Sequence, residues 1–100
     1  MKKAMAMYEA NIDFGCTTGE NYSFTARKEY PADHEDEQRV LFREYVEAEF
    51  NKECKRLFGS KTVSFSADLT YIRDGEWLDS EEFSATYNGE KVVVEECIPF

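Results

Sequence analysis

The chain has 100 residues, with 21 acidic and 12 basic side chains, a formal net charge of -9 and 42% hydrophobic residues. That length supports one hydrophobic core, so a single globular domain over residues 1–100 is expected and a two-domain enzyme is not. The acidic balance argues against direct nucleic-acid binding, which needs Lys and Arg in excess to displace counterions from phosphate.

Disorder, the other reading of a high net charge, conflicts with fifteen aromatic residues, since disordered acidic chains are poor in them. The apolar runs, such as Val40-Leu41-Phe42 and Val92-Val93-Val94, are far too short for a transmembrane helix. The amino terminus begins as a signal peptide does, with Lys2 and Lys3 before small apolar residues, but Glu9, Asn11 and Asp13 interrupt the apolar stretch it requires. Three cysteines, Cys16, Cys54 and Cys97, are odd in number and lack metal-ligand spacing. A cytoplasmic protein without membrane contact is expected.

In chain order, the first element is a strand. Tyr8, Ala10, Ile12, Phe14 and Cys16 alternate with Glu9, Asn11 and Asp13, which gives one buried face. The parity resumes at Tyr22, Phe24 and Ala26 after residues 17–21, so a hairpin with a loop of about five residues is expected, ended by Pro31.

The period then changes to that of a helix. Asp33 is placed to cap it, Glu35, Asp36 and Glu37 complement its positive end, and Phe42, Val46, Phe50, Cys54 and Leu57 form one stripe with Leu41 and Tyr45 at its margin. Lys52, Lys55 and Arg56 suit the negative end, and Gly59 is placed to close it. About 25 residues at 1.5 Å each predict a helix roughly 37 Å long.

Period two returns with Val63, Phe65, Ala67, Leu69 and Tyr71 on one face and Ser64, Ser66, Asp68 and Thr70 on the other. Asp74-Gly75 and Asn88-Gly89 each signal a two-residue turn. Closing the first sets Arg73 against Glu76, Ile72 against Trp77 and Tyr71 against Leu78. Closing the second sets Ala85 against Val92 and Phe83 against Val94. The predicted fold is α+β, a two-layer sandwich with one long helix on a mostly antiparallel sheet, in the order β-β-α-β-β-β.

Ile72 has the parity of the polar face, so with Trp77 it forms an apolar pair on the side away from the helix, a protein-binding signature. The competing expectation is a bulge near Gly75 that turns Trp77 into the core edge.

Catalytic parts are few. The one histidine, His34, lies at the start of the helix among Asp33, Glu35 and Asp36, with no Ser or Cys in a nucleophile elbow. Cys54 reads as a core residue, and Cys16 and Cys97 can meet only if the first and last strands are neighbours. The acids from Asp74 to Glu82 lack the ligand ladder of a calcium loop, and no phosphate-cradling glycine motif occurs. No catalytic residue, metal or cofactor is expected.

Charge distribution is more informative. From Asp74 onward there are eight acids and one base, Lys91. Asp74, Glu76, Asp79, Glu81, Glu82, Glu90, Glu95 and Glu96 are expected to form an acidic strip that, with Ile72 and Trp77, binds and steers a larger protein with a basic surface. Solubility alone is the competing explanation.

In size, acidity and lack of catalytic parts, the chain resembles the general profile of small inhibitors encoded by phages and mobile elements, anti-CRISPR proteins among them, a likeness carried by no motif. The acidic strip, to which this likeness only adds, leads to the expectation of a non-enzymatic inhibitor that mimics nucleic acid and masks a basic nucleic-acid-binding surface. The alternative is a small-ligand-binding or enzymatic domain with a helix-sheet pocket lined by Tyr22, Tyr45, Tyr71 and Tyr87. Either a monomer or an edge-strand homodimer is compatible with the pattern, although Glu95, Glu96 and Pro99 discourage pairing of the last strand.

Overall fold

The structure, a computed structural model, describes residues 4–99, with side chains described through Glu95. The elements run β1 (Met5–Cys16), β2 (Asn21–Pro31), α1 (Glu35–Phe58), β3 (Val63–Arg73), β4 (Glu76–Tyr87) and β5 (Val92–Pro99). The five strands form one antiparallel sheet in the order β2-β1-β3-β4-β5. The predicted α+β architecture and element order are those observed.

Alternation builds the inner face of the sheet. Tyr8, Ala10, Ile12 and Phe14 on β1 and Phe65, Ala67, Leu69 and Tyr71 on β3 are all buried, because the register sets Ala10 against Tyr71, Ile12 against Leu69 and Phe14 against Ala67. At 24 residues and about 1.5 Å per residue, α1 is about 36 Å long, close to the length of the strands it covers.

Aromatic rings join the layers. Phe42 packs on Tyr8 of β1, Tyr30 of β2 and Tyr71 of β3, with centroids 5.4, 6.2 and 6.1 Å away. Two turns on, Phe50 packs on Phe14, Phe24 and Phe65 of the same three strands at 5.2, 5.8 and 5.8 Å. The helix is therefore centred on β1. Polar ties extend its reach: Tyr87 Oη donates to the Gly59 carbonyl at 2.9 Å, and the Val92 N–H donates to Asn51 Oδ1 at 2.7 Å.

Several local expectations are corrected. The first strand begins at Met5 rather than Tyr8, and its hairpin loop spans the four residues 17–20. The helix cap is His34, not Asp33. His34 adopts φ 62°, ψ 48° and makes no side-chain cap bond. The Asp74-Gly75 turn forms as expected, with φ positive at both residues, but a bulge after Ile72 and Trp77 sets Tyr71 against Asp79 instead of Leu78.

The last hairpin keeps its faces and shifts its register. Tyr87 faces Val92, Ala85 faces Val94, and beyond a second bulge Phe83 faces Cys97. Asn88 causes the shift: its Oδ1 accepts the N–H groups of both Glu90 and Lys91, and its own N–H bonds the Lys91 carbonyl, which makes a four-residue loop. Gly89 lies inside that loop at φ 95°, where a Cβ would come within 2.7 Å of the Ser60 carbonyl oxygen. Two strands separate β1 from β5, so the proposed approach of Cys16 to Cys97 does not follow from the topology; the Cys97 side chain lies outside the described residues.

Candidate functional site

The face of the sheet opposite α1 has no covering layer among the described residues. Its middle is polar and self-paired on one side. Thr25 Oγ1 donates to Asn11 Oδ1 at 2.8 Å, Ser23 Oγ to Asp13 Oδ1 at 2.7 Å, and Arg27 Nε to Glu9 Oε1 at 2.5 Å. The Arg27 contact holds the Glu9 carboxyl below the ordinary range, helped by the Asn11 amide. Further across, Asp13 faces Asp68 and Asp68 faces Glu82, so three carboxylates stand abreast on β1, β3 and β4. Cross-strand neighbours lie about 4.5–5.5 Å apart, and like charges so placed oppose the fold.

One end of this face is apolar. Ile72 and Trp77 are directly opposed across β3 and β4, and Trp77 is 63% exposed. The bulge begins just beyond this pair, so it turns Leu78 toward a cleft with Tyr8, Phe42 and Tyr71 and leaves Trp77 outside. Met5 and Met7 of β1 share the outer parity and are 49% and 38% exposed. Met7 also exchanges two hydrogen bonds with Asp74, its N–H donating to Asp74 Oδ1 at 2.8 Å and its carbonyl accepting the Asp74 N–H at 2.8 Å. That pairing brings the methionines beside the Ile72 and Trp77 pair. The sequence reading missed them because it began the strand at Tyr8, although the alternation extends back to Met5.

The expected acidic strip is divided by the fold. Glu82 and Glu95 lie on the outer face, and the Thr86 hydroxyl donates to Glu95. Asp79 and Glu81 have the inner parity, opposite Tyr71 and Leu69, where Arg43 of α1 reaches them at 2.8 and 3.6 Å. Glu76 stands opposite Arg73, Asp74 is occupied with the β1 backbone, and Glu90 sits in the four-residue loop. Glu96 lies outside the described side chains. Of the ten expected residues, Ile72, Trp77, Glu82 and Glu95 share the outer face, joined there by Asp13 and Asp68 from other strands.

The expected tyrosine-lined pocket does not form as such. Tyr22 packs on Phe14 and Phe58, Tyr45 on Phe42, and Tyr87 is fully buried. Only Tyr71 borders the open groove of about 370 Å³ between α1 and the β4–β5 ribbon. Cys54 is completely buried, and that burial pushes its thiol up to about 12. Burial likewise raises the Cys16 thiol, so neither is poised as a nucleophile. His34 is exposed, 3.7 Å from Asp33 Oδ2. Among the described residues no three His, Cys, Asp or Glu side chains are placed to hold a metal ion, and no helix is long and apolar enough to cross a membrane.

Comparison of the chain with protein-family models, with curated proteins and with solved structures found no match.

Proposed function

We propose that the protein is a non-enzymatic binding module that docks its open sheet face on a basic surface of a larger protein. The supporting observation is the pairing on that face of an apolar end, the exposed Trp77, Met5 and Met7 with the half-buried Ile72, with three carboxylates abreast, Asp13, Asp68 and Glu82. An exposed indole beside flexible methionines suits a buried anchor, and the carboxylates further along the same face steer and orient a cationic partner.

The partner class follows from the charge. A row of carboxylates at strand spacing presents negative charge to a groove of Lys and Arg that otherwise holds phosphate, so the surface masked is a nucleic-acid-binding one and the module acts as an inhibitor of the anti-CRISPR kind. The test is affinity capture from a bacterial lysate at low and high salt, with the retained protein identified. Trp77→Ala should abolish capture, and Asp68→Lys with Glu82→Lys should slow association and remove its salt dependence. Capture that survives both changes, or that is insensitive to salt, would rule the reading out.

A further inference from the structure

We propose that the groove between α1 and the β4–β5 ribbon is a second, separate binding site, for a small amphipathic amine with an apolar body and a protonated nitrogen. The groove exists because the helix is centred on β1 and, although Ala85 and Tyr87 are buried, leaves Phe83 of β4 and Val92 and Val94 of β5 only partly covered. Val46 and Phe50 of the helix form one wall, Leu69 and Phe83 the floor, and Val92 and Val94 the far side. Its volume of about 370 Å³ lies within the ~300–1,000 Å³ range of ligand pockets. Val94, 55% exposed, is unpaired apolar surface at its lip.

The polar groups at the mouth select the charge of the ligand. Among the described residues Arg43 is the one cation lining the groove, and Asp79 at 2.8 Å and Glu81 at 3.6 Å already hold it. An anionic ligand would have to displace a carboxylate to reach it. Glu47, also on the rim, has no ion-pair partner among the described residues. Tyr71, 93% buried by its 7% exposure, lines the same groove, and its hydroxyl has no hydrogen-bond partner among the described residues. A carboxylate and an open hydroxyl above an apolar floor are the groups that receive an ammonium, which donates to both while its carbon body covers Phe83 and Val94.

The site lies on the opposite side of the sheet from Trp77, so its fate is independent of the docking face. The experiment is a titration of the 15N-labelled protein followed by amide shifts, with 2-phenylethylamine as the probe and 3-phenylpropionate, nearly the same in shape but anionic, as the control. Saturable shifts confined to residues 43–51, 69–71, 83 and 92–94 are expected with the amine, at millimolar affinity for so small a ligand. Binding of the anion should be about tenfold weaker. Glu47→Gln should weaken the amine by roughly two- to fivefold, as an exposed pair does. Val94→Trp, a change at an exposed position that fills the groove, should abolish binding while leaving thermal unfolding unchanged, and Trp77→Ala should leave amine binding intact. Equal binding of amine and anion, shifts without saturation, or movement of the same resonances with protein concentration alone, the mark of a second copy on the groove, would each overturn the proposal.

Discussion

The Arg43 guanidinium donates to Asp79 Oδ2 across 2.8 Å, joining the middle of the helix to the strand that follows the Asp74-Gly75 turn. The same side chain lies 4.7 Å above the Tyr71 ring, so its charge serves a carboxylate pair and an aromatic face at once. This contact turns two acids of the carboxy-terminal run toward the helix. The side chains are about half exposed, 48% and 54%, which limits the pair to the range of surface ion pairs. A double-mutant cycle of Arg43→Met and Asp79→Asn, read by urea denaturation, should therefore give a coupling below about 1 kcal/mol, and the coupling should shrink in high salt.

Gln38 offers a stabilising substitution. It is 7% exposed in the second turn of α1, and its Oε1 is buried without a hydrogen-bond partner. An unsatisfied buried acceptor costs about 1–3 kcal/mol, whereas a methionine of similar volume carries no such acceptor and is a better helix former than most. Gln38→Met should raise stability by about 1 kcal/mol, seen as a higher denaturation midpoint with an unchanged slope. Gln38→Glu, which adds a charge at the same place, should lower it.

The parts of the fold that were legible in the sequence are those written in local period. Tyr8 through Cys16 and Val63 through Tyr71 alternate, and Phe42 through Cys54 follow the helical stripe; each of these sets packs as its period implies. The register of the last hairpin was two residues off because the side chain of Asn88 decides it by accepting two backbone N–H groups, which turn-pair statistics do not contain. A shift of two preserves the face, so the core was unaffected. The bulge beyond Trp77 was invisible because Trp77-Leu78-Asp79-Ser80 has no alternation to interrupt. The candidate site was half legible for the same reason. Trp77 and Ile72 were found from turn geometry, but the Asp13, Asp68 and Glu82 row depends on which strands become neighbours, a choice made by contacts 55 residues apart in the chain.

Alkaline pH should unfold the protein through two buried protons. The Cys54 thiol is pushed from an ordinary 9.0 to about 12 and the Tyr71 hydroxyl from 10.0 to about 12, both chiefly by burial. Each group holds its proton more tightly folded than unfolded, so their contribution is complete below pH 9 and is lost as pH rises toward 12. Between these limits only the unfolded chain ionises, and each group then removes about 1.4 kcal/mol per pH unit. Urea midpoints measured across this range should be flat to about pH 8.5 and then fall. Cys54→Ala should make the fall shallower above pH 9, where Cys16, whose thiol burial also raises, and Tyr71 still act. A fall beginning below pH 8 would assign the alkaline sensitivity to other groups.

Trp77 is the one tryptophan of the chain, which makes its surroundings directly readable. At 63% exposure on the outer face, its indole already meets water in the folded state. Its emission should therefore sit at the wavelength of a hydrated indole, be quenched freely by acrylamide, and move little on unfolding. The bulge had two possible consequences, a buried indole or an exposed one, and the difference is also energetic. A buried tryptophan truncated to alanine costs about 3–5 kcal/mol, whereas Trp77→Ala here should cost less than about 1 kcal/mol. A variant that keeps its stability and loses its partner separates the two roles a large aromatic side chain can have, filling a core or anchoring a contact. An emission that shifts strongly to the red on unfolding would place the indole in the core edge and remove the anchor from the docking face.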